Sequence, residues 1–370
     1  MGPGRGGTGA AARGRHRAFY GTPPYAHGVA HPTQPRPSSG PGPTAHPAPR
    51  ASRPAPRPLR RAAPRPTPPR IVVLGDLTAD VVLVPARPLE RATDVPGRVA
   101  IRRGGSAANT AGWVARLGAD CALVCAVGRD RLGSALVDAL AAQGVRVLAT
   151  RLSGARSARI GIVVTPDGER SFVADRGAAQ LLAPGMLRSA WFRGADVLHL
   201  PAYSLLGSPL GEAGFAAIGH ARTAGARISV DLASSAPLLA AGREAAMALL
   251  ARAAPDVLLA TEDEAARLLG RHDASPLLRI APAVVVKRGP RGATVLERTG
   301  RLRFDVATRP VAAADTTGAG DAFDAGFLVG WVTATRRGAS AATALRAGAA
   351  AGNRAAGRHL RAGIAELDLG

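Results

Sequence analysis

Several residue types are scarce in this chain, and each shortage removes a class of function. Among 370 residues there are two cysteines, Cys121 and Cys125. Both fall in one apolar, strand-like run, so neither a disulfide framework nor a zinc site is expected. Buried thiols in a reducing cytoplasm are the reading that remains. No uninterrupted apolar run reaches the ~18 residues that a membrane-crossing helix needs, so no span is expected. No Gly-x-x-x-x-Gly-Lys-Ser/Thr string occurs, so any phosphate binding does not rest on a P-loop. The first apolar run ends in Gly75-Asp76-Leu77 without Gly-x-Gly-x-x-Gly, which argues against a nicotinamide-dependent oxidoreductase. Lysine is nearly missing: Lys287 stands alone among 48 basic residues.

Residues 1–70 lack Asp, Glu and Lys altogether and hold 17 of the 30 prolines and 12 arginines. Such a segment buries too little apolar surface to offset its ordering entropy, and a disordered tail is expected. It supplies +12 of the formal charge of +22. It has no reading motif and few aromatics (Phe19, Tyr20, Tyr25), so a nucleic-acid role is not expected. The Arg bias with abundant Ala, Gly and Pro fits GC-rich coding. The tail then has no specific function or reflects an over-extended start, with an electrostatic anchor to an acidic partner as the alternative. It has no apolar core of a secretory signal, and its prolines oppose the amphipathic helix of a transit peptide.

From residue 71 to 370 the chain reads as one domain. Strands are expected at 71–75, 122–127, 145–150, 197–200, 228–231, 257–260 and 283–287. Helices are expected at 105–117, 132–143, 210–224, 262–269, 319–334 and 339–356. The alternation predicts an α/β fold with a mostly parallel sheet covered on both faces. Segments 81–103 and 156–175 break the rhythm and read as antiparallel strands of a small β flap, with a turn at 166–169. A further hairpin is expected over 294–306. Asp76, Asp80, Asp231 and Thr261 each follow an expected strand, where ligands sit in open sheets of this kind.

Residues 315–321 read Asp-Thr-Thr-Gly-Ala-Gly-Asp and lead into a helix of small and apolar residues. Glycines there allow close backbone approach, and first-turn amides lack intrahelical partners and bind anions. A carboxylate at Asp321 is costly beside a bound phosphate. It makes sense as a general base for the hydroxyl that attacks that phosphate. A tight turn capped by Asp is the bland alternative. Far upstream, Gly104-Gly105-Ser106-Ala107-Ala108-Asn109 places a Gly pair four residues before Asn at a helix entry.

Together these strings resemble the two signatures of the ribokinase-like (PfkB) family of carbohydrate kinases, in the family's order. The resemblance covers about residues 71–356. It implies a three-layer sandwich with a small β lid, and ATP-dependent phosphorylation of a sugar hydroxyl in the cytoplasm. Asp321 would be the base, with the amides of Gly318, Ala319 and Gly320 as the anion hole. Asp80, Gly104, Gly105 and Asn109 would bind the sugar. Thr261, Lys287, Gly289 and Gly292 would border ATP, and Arg288 or Arg291 is a candidate phosphate contact. Glu264 would organise water around Mg²⁺, although Thr261 stands where the family commonly has Asn. Asp315 and Thr317 match positions that help bind a monovalent cation such as K⁺. Thr261 with Glu264 also fits a purely structural capping box. Arg176 is a candidate partner for an acidic sugar or a member of a surface ion pair. The resemblance also implies a homodimer through the lid. A nucleoside kinase of the same superfamily and a non-catalytic sugar-binding regulator are the alternatives. Thirteen aromatic residues are few for a base pocket.

Overall fold

Strand side chains alternate between two faces, and here both faces are apolar. The computed structural model describes residues 67–165, 169–313, 315–362 and 366–367. The expected tail up to residue 66 and turn residues 166–168 lie outside the described residues. The chain runs β1 (Arg70–Leu74), β2 (Thr78–Pro85), β3 (Gly97–Gly104), α1 (Ser106–Arg116), β4 (Asp120–Gly128), α2 (Arg131–Ala141), β5 (Arg146–Leu152), β6 (Ala158–Val164) and β7 (Arg170–Asp175). There follow β8 (Val197–Pro201), α3 (Glu212–Thr223), β9 (Arg227–Asp231), α4 (Ser235–Leu239), α5 (Arg243–Ala253), β10 (Val257–Thr261) and α6 (Glu262–Leu269). The chain closes with β11 (Ala283–Lys287), β12 (Ala293–Glu297), β13 (Leu302–Val306), α7 (Ala319–Arg336) and α8 (Ala341–Ala362).

The main sheet has the order β13-β12-β11-β10-β9-β8-β1-β4-β5. Its strands pair in parallel from β5 to β11, and β12 and β13 add an antiparallel edge. In β1, Val72 and Leu74 join one buried cluster with Leu198 and Leu205, while Ile71 and Val73 join the other with Leu123 and Phe327. Helices therefore cover both faces, as the near-continuous apolar strands require. The chain turns from β1 toward β4 and β5, then returns to place β8 on the other side of β1. The crevice at such a reversal is where open α/β sheets bind ligands.

The flap is a four-stranded sheet, β3-β2-β6-β7. β2 with β3 and β6 with β7 are antiparallel, but the central pair, β2 with β6, is parallel. The two hairpins leave the main sheet separately and meet side by side, which local sequence does not encode. Two further differences stand out. Residues 67–70 belong to the body: Arg70 opens β1, and Arg336 donates to the carbonyls of Thr67 (2.9 Å) and Pro68 (3.2 Å). Helices α4 and α5 also have no counterpart in the sequence reading. α5 is Ala-rich and buries only Ala246, Leu250 and Ala253, so its amphipathic stripe is faint.

Glycines bring α7 and α8 close together. A Cβ on Gly326 would lie 2.6 Å from the Ala351 carbonyl oxygen, and one on Gly352 would lie 2.8 Å from that of Phe323. This packing fixes the axis of α7 and hence the aim of its N-terminus.

Candidate active site

Gly318 precedes α7 in the left-handed region, φ 80°, and no side chain caps the helix. The Ala319 amide donates to the Thr316 carbonyl (3.2 Å) and the Ala322 amide to that of Gly318 (2.9 Å). The amides of Gly320 and Asp321 find no acceptor among the described residues. Two free first-turn donors at the positive end of a helix dipole suit an anion. His359 of α8 steadies the approach: its Nδ1 accepts from the Trp113 indole (3.2 Å), which leaves Nε2–H to donate to the Thr317 carbonyl (2.5 Å).

Asp321 is half-buried, and each of its carboxylate oxygens accepts one hydrogen bond from α1. Ser106 Oγ donates to Oδ1 (2.7 Å) and Asn109 Nδ2 to Oδ2 (2.9 Å). Burial pushes the Asp321 pKa up, while these two donors and the Lys287 charge pull it back. The outcome is an oriented carboxylate with raised basicity, suited to accept a proton. Ser106 escaped the sequence reading. Its signal was its place three residues before Asn109, on the same helix face.

Lys287 was expected to border the nucleotide, and it sits at the end of β11 inside a buried charge cluster. Its Nζ donates to Asp231 Oδ1 (2.8 Å) and to both oxygens of Asp324 (3.1 Å each). Burial pushes both carboxyl groups up, and those carboxylates with Glu264 hold the Lys287 pKa above its ordinary value. A Cβ on Gly320 would lie 3.6 Å from Nζ, so the ammonium stands just behind the free amides. Asp324 was missed, although an acid three residues beyond Asp321 in an otherwise apolar helix was a visible signal.

The glycine pair makes room for two acids. A Cβ on Gly104 would fall 2.1 Å from the Asp80 carboxylate, and Gly105, at φ 95°, would bring one 2.6 Å from the Asp76 carbonyl oxygen. Asp80 Oδ1 accepts from Thr78 Oγ1 (2.8 Å). Burial, aided by Asp76 and Asp321, pushes the Asp80 pKa up to about 6 against the Thr78 bond. Asp76 accepts from the Tyr203 hydroxyl (2.5 Å) and faces Arg176 at 3.5 Å. Arg176 also lies over the Tyr203 ring, so its charge is already matched.

At the other edge, Thr261 and Glu264 form the capping box of α6: the Glu264 amide donates to Thr261 Oγ1 (3.2 Å) and the Thr261 amide to Glu264 Oε2 (2.8 Å). Gly289 and Gly292 shape the turn between β11 and β12, with φ 55° and 83°. Arg288 pairs with Asp305 (3.2 Å) and Arg291 with Glu262. Both carboxylate oxygens of Asp315 are taken by the lid, Oδ2 by Arg102 of β3 (3.0 Å) and Oδ1 by Arg170 of β7 (2.9 Å). Among the described residues, no three His, Cys, Asp or Glu side chains converge as a metal cage. A divalent ion would therefore depend on phosphate oxygens and water, with Glu264 Oε1, outside the capping box, as the nearby carboxylate oxygen. Cys121 and Cys125 are both buried free thiols whose pKa values burial raises.

Asp80, Asn109, Asp315, Thr317 and Gly318 line one cavity of about 560 Å³ between the flap and helices α1, α2 and α8. Asp321 adjoins this cavity through its partner Asn109 without lining it, and Gly104, Gly105, Thr261, Glu264, Lys287, Gly289, Gly292, Ala319 and Gly320 do not line it either. No described helix is long and apolar enough to cross a membrane.

Comparison with known proteins agrees with this architecture. The sequence pattern of the pfkB family carbohydrate kinases matches residues 68–362. A fructokinase of Klebsiella pneumoniae is 34% identical over 70% of this chain and 84% of its own length. An ATP-dependent ribose-1-phosphate kinase of Halopiger xanaduensis is 32% identical over 71% of this chain and 85% of its own. The crystal structure of adenosine kinase from Sinorhizobium meliloti superposes with a TM-score of 0.69 at 26% identity, covering 79% of this chain and 94% of that one. The chain belongs to the pfkB family of carbohydrate kinases and is an ATP-dependent sugar kinase.

Proposed function

We propose that Asp321 is the general base of this kinase and that the cavity beneath the flap holds the sugar. The observation that carries the proposal is the Asp321 carboxylate, pinned by Ser106 and Asn109 next to the free Gly320 and Asp321 amides. The acceptor hydroxyl loses its proton to Asp321 as its oxygen attacks the γ-phosphorus, and ADP departs. The amides at 320 and 321 stabilise charge on the transferring group without reorganising. Lys287, held by Asp231 and Asp324, adds a fixed positive charge behind them. Mg²⁺ bound to the phosphates would neutralise further charge, with Glu264 ordering water around it. Asp80 accepts hydrogen bonds from sugar hydroxyls, and Gly104 and Gly105 keep that space open. Thr261, Gly289 and Gly292 border the nucleotide by shaping the backbone there.

Asp315 acts in this reading as the body's half of a lid latch, closed by Arg102 and Arg170. Closure excludes water and limits wasteful ATP hydrolysis. A monovalent ion would compete with those arginines for the carboxylate, so K⁺ dependence is the weaker proposal. A homodimer through the lid is supported by exposed apolar residues on its strands: Leu83 and Val99, a cross-strand pair, and Val173. A sugar is favoured over a nucleoside because, among the described residues, Trp113 is the one Phe, Tyr or Trp lining the cavity. The test is ADP release measured across sugars, sugar acids, sugar phosphates and nucleosides. Turnover confined to nucleosides would overturn the assignment.

A further inference from the structure

Arg103, at the end of β3, presents an anomaly that a neutral sugar does not resolve. Its Nη1 is shut off from solvent and meets no acceptor among the described residues. Buried polar groups are nearly always paired, and an orphaned charged donor needs a reason. Arg103 as a residue lines the cavity, together with Asp80 and Asn109. Gly112 of α1 keeps the space beside it open: a Cβ there would lie 3.7 Å from Arg103 Nη2 and 2.5 Å from Gln143 Oε1.

The lining holds further cations. Arg98 and Arg116 also face the cavity, while Arg102 and Arg170 are spent on Asp315. Arg116 lies over the Trp113 ring and makes no ion pair among the described residues. The cavity acids left to balance Arg98, Arg103 and Arg116 are Asp80 and Glu366. Burial lowers the Arg103 pKa, and the Asp321 and Asp80 charges raise it again. A guanidinium of this kind stays charged and presents a fork of donors matched to phosphate or carboxylate oxygens.

Resting on the kinase reading above, we propose that the acceptor sugar already carries an anionic group, a phosphate or a carboxylate. Arg103 receives that group, and Arg98 and Arg116 supply the surrounding positive field. The sugar hydroxyls then lie toward Asp80 and Asp321, and the anion sits in the part of the cavity bounded by Gly112 and Gln143.

The test compares kcat/KM for D-ribose and D-fructose, for ribose 5-phosphate and fructose 1- and 6-phosphates, and for D-gluconate, at saturating MgATP. At least one anionic sugar should exceed every neutral one by tenfold or more, and the phosphate and gluconate arms tell the two anions apart. A neutral sugar as the best substrate would overturn the inference and leave the kinase reading intact. If no compound is phosphorylated, calorimetric binding decides: an anionic sugar that binds tenfold tighter than neutral ones supports the inference even where the kinase reading fails, and no such preference overturns it. Arg103→Met should lose at least 30-fold in kcat/KM for the anionic sugar with an unchanged KM for ATP, and Arg103→Lys should recover part of the loss. Arg103→Met should still fold, because Nη1 gives up no hydrogen bond among the described residues. An equal loss on anionic and neutral sugars, with a shifted pH–rate profile, would instead make Arg103 a positioning residue for Asp321 and sink the proposal.

Discussion

Replacing Asp321 by Asn tests the chemistry with little disturbance of the structure. The two side chains match in size, and the local hydrogen bonds survive. The introduced amide oxygen accepts from Asn109 Nδ2, and the introduced amide nitrogen donates to Ser106 Oγ, whose hydroxyl turns away. What disappears is the carboxylate proposed to take the proton from the acceptor hydroxyl. Removing a general base costs roughly 10²–10⁴ in rate, or about 3–5 kcal/mol in activation free energy. Affinity for ATP should hold or improve, because a negative charge beside the phosphates has gone. Stability supplies an independent check. Burial raises the Asp321 pKa in the folded protein, so the native state binds the extra proton. Stability from this group is therefore greatest below its unfolded pKa and declines as pH rises through the folded value. At neutral pH the Asn variant should be as stable as the parent or more so. The assay is single-turnover phosphoryl transfer with sugar and MgATP saturating, alongside denaturant melts at pH 4 and 7. A folded variant that transfers phosphate at near the parental rate would refute the role of Asp321.

Asp80, with its pKa raised to about 6, should impose a pH dependence on sugar recognition. The kcat/KM for sugar should fall as pH drops below that value, and Asp80→Asn should flatten this limb, as a pH–rate profile would show. The same raised pKa means Asp80 destabilises the fold above pH 6, so the Asn variant should gain up to about 3 kcal/mol at pH 7 in urea melts. Arg170→Ala should loosen the latch on Asp315, raising sugar KM several-fold and increasing ATP hydrolysis without transfer. Its effect on stability should stay within about 1 kcal/mol because Asp315 is partly exposed. Gly326→Ala should separate α7 from α8 and cost about 1–3 kcal/mol, measured as a fall in Tm. An unchanged Tm would mean that the close approach of the two helices does not hold the α7 N-terminus.

The sequence alone determined whatever depends on neighbours in the chain. Apolar runs such as those of β1, β10 and β11 announced buried parallel strands, because a strand covered on both faces has no polar side. The α6 capping box was legible, since Thr261 and Glu264 are three residues apart and bond to each other's backbone. The glycines of residues 315–321 announced a helix start entered through a left-handed Gly318. Tertiary structure decided whatever joins distant segments. Ser106 and Asn109 reach Asp321 across more than 200 residues, and Lys287 gathers Asp231 and Asp324 from separate elements. Arg102 and Arg170 look like surface charges in sequence, until lid and body meet at Asp315. The orphaned donor of Arg103 is visible only when every neighbour is in place, because a missing partner is a property of the whole surrounding volume and not of any local pattern.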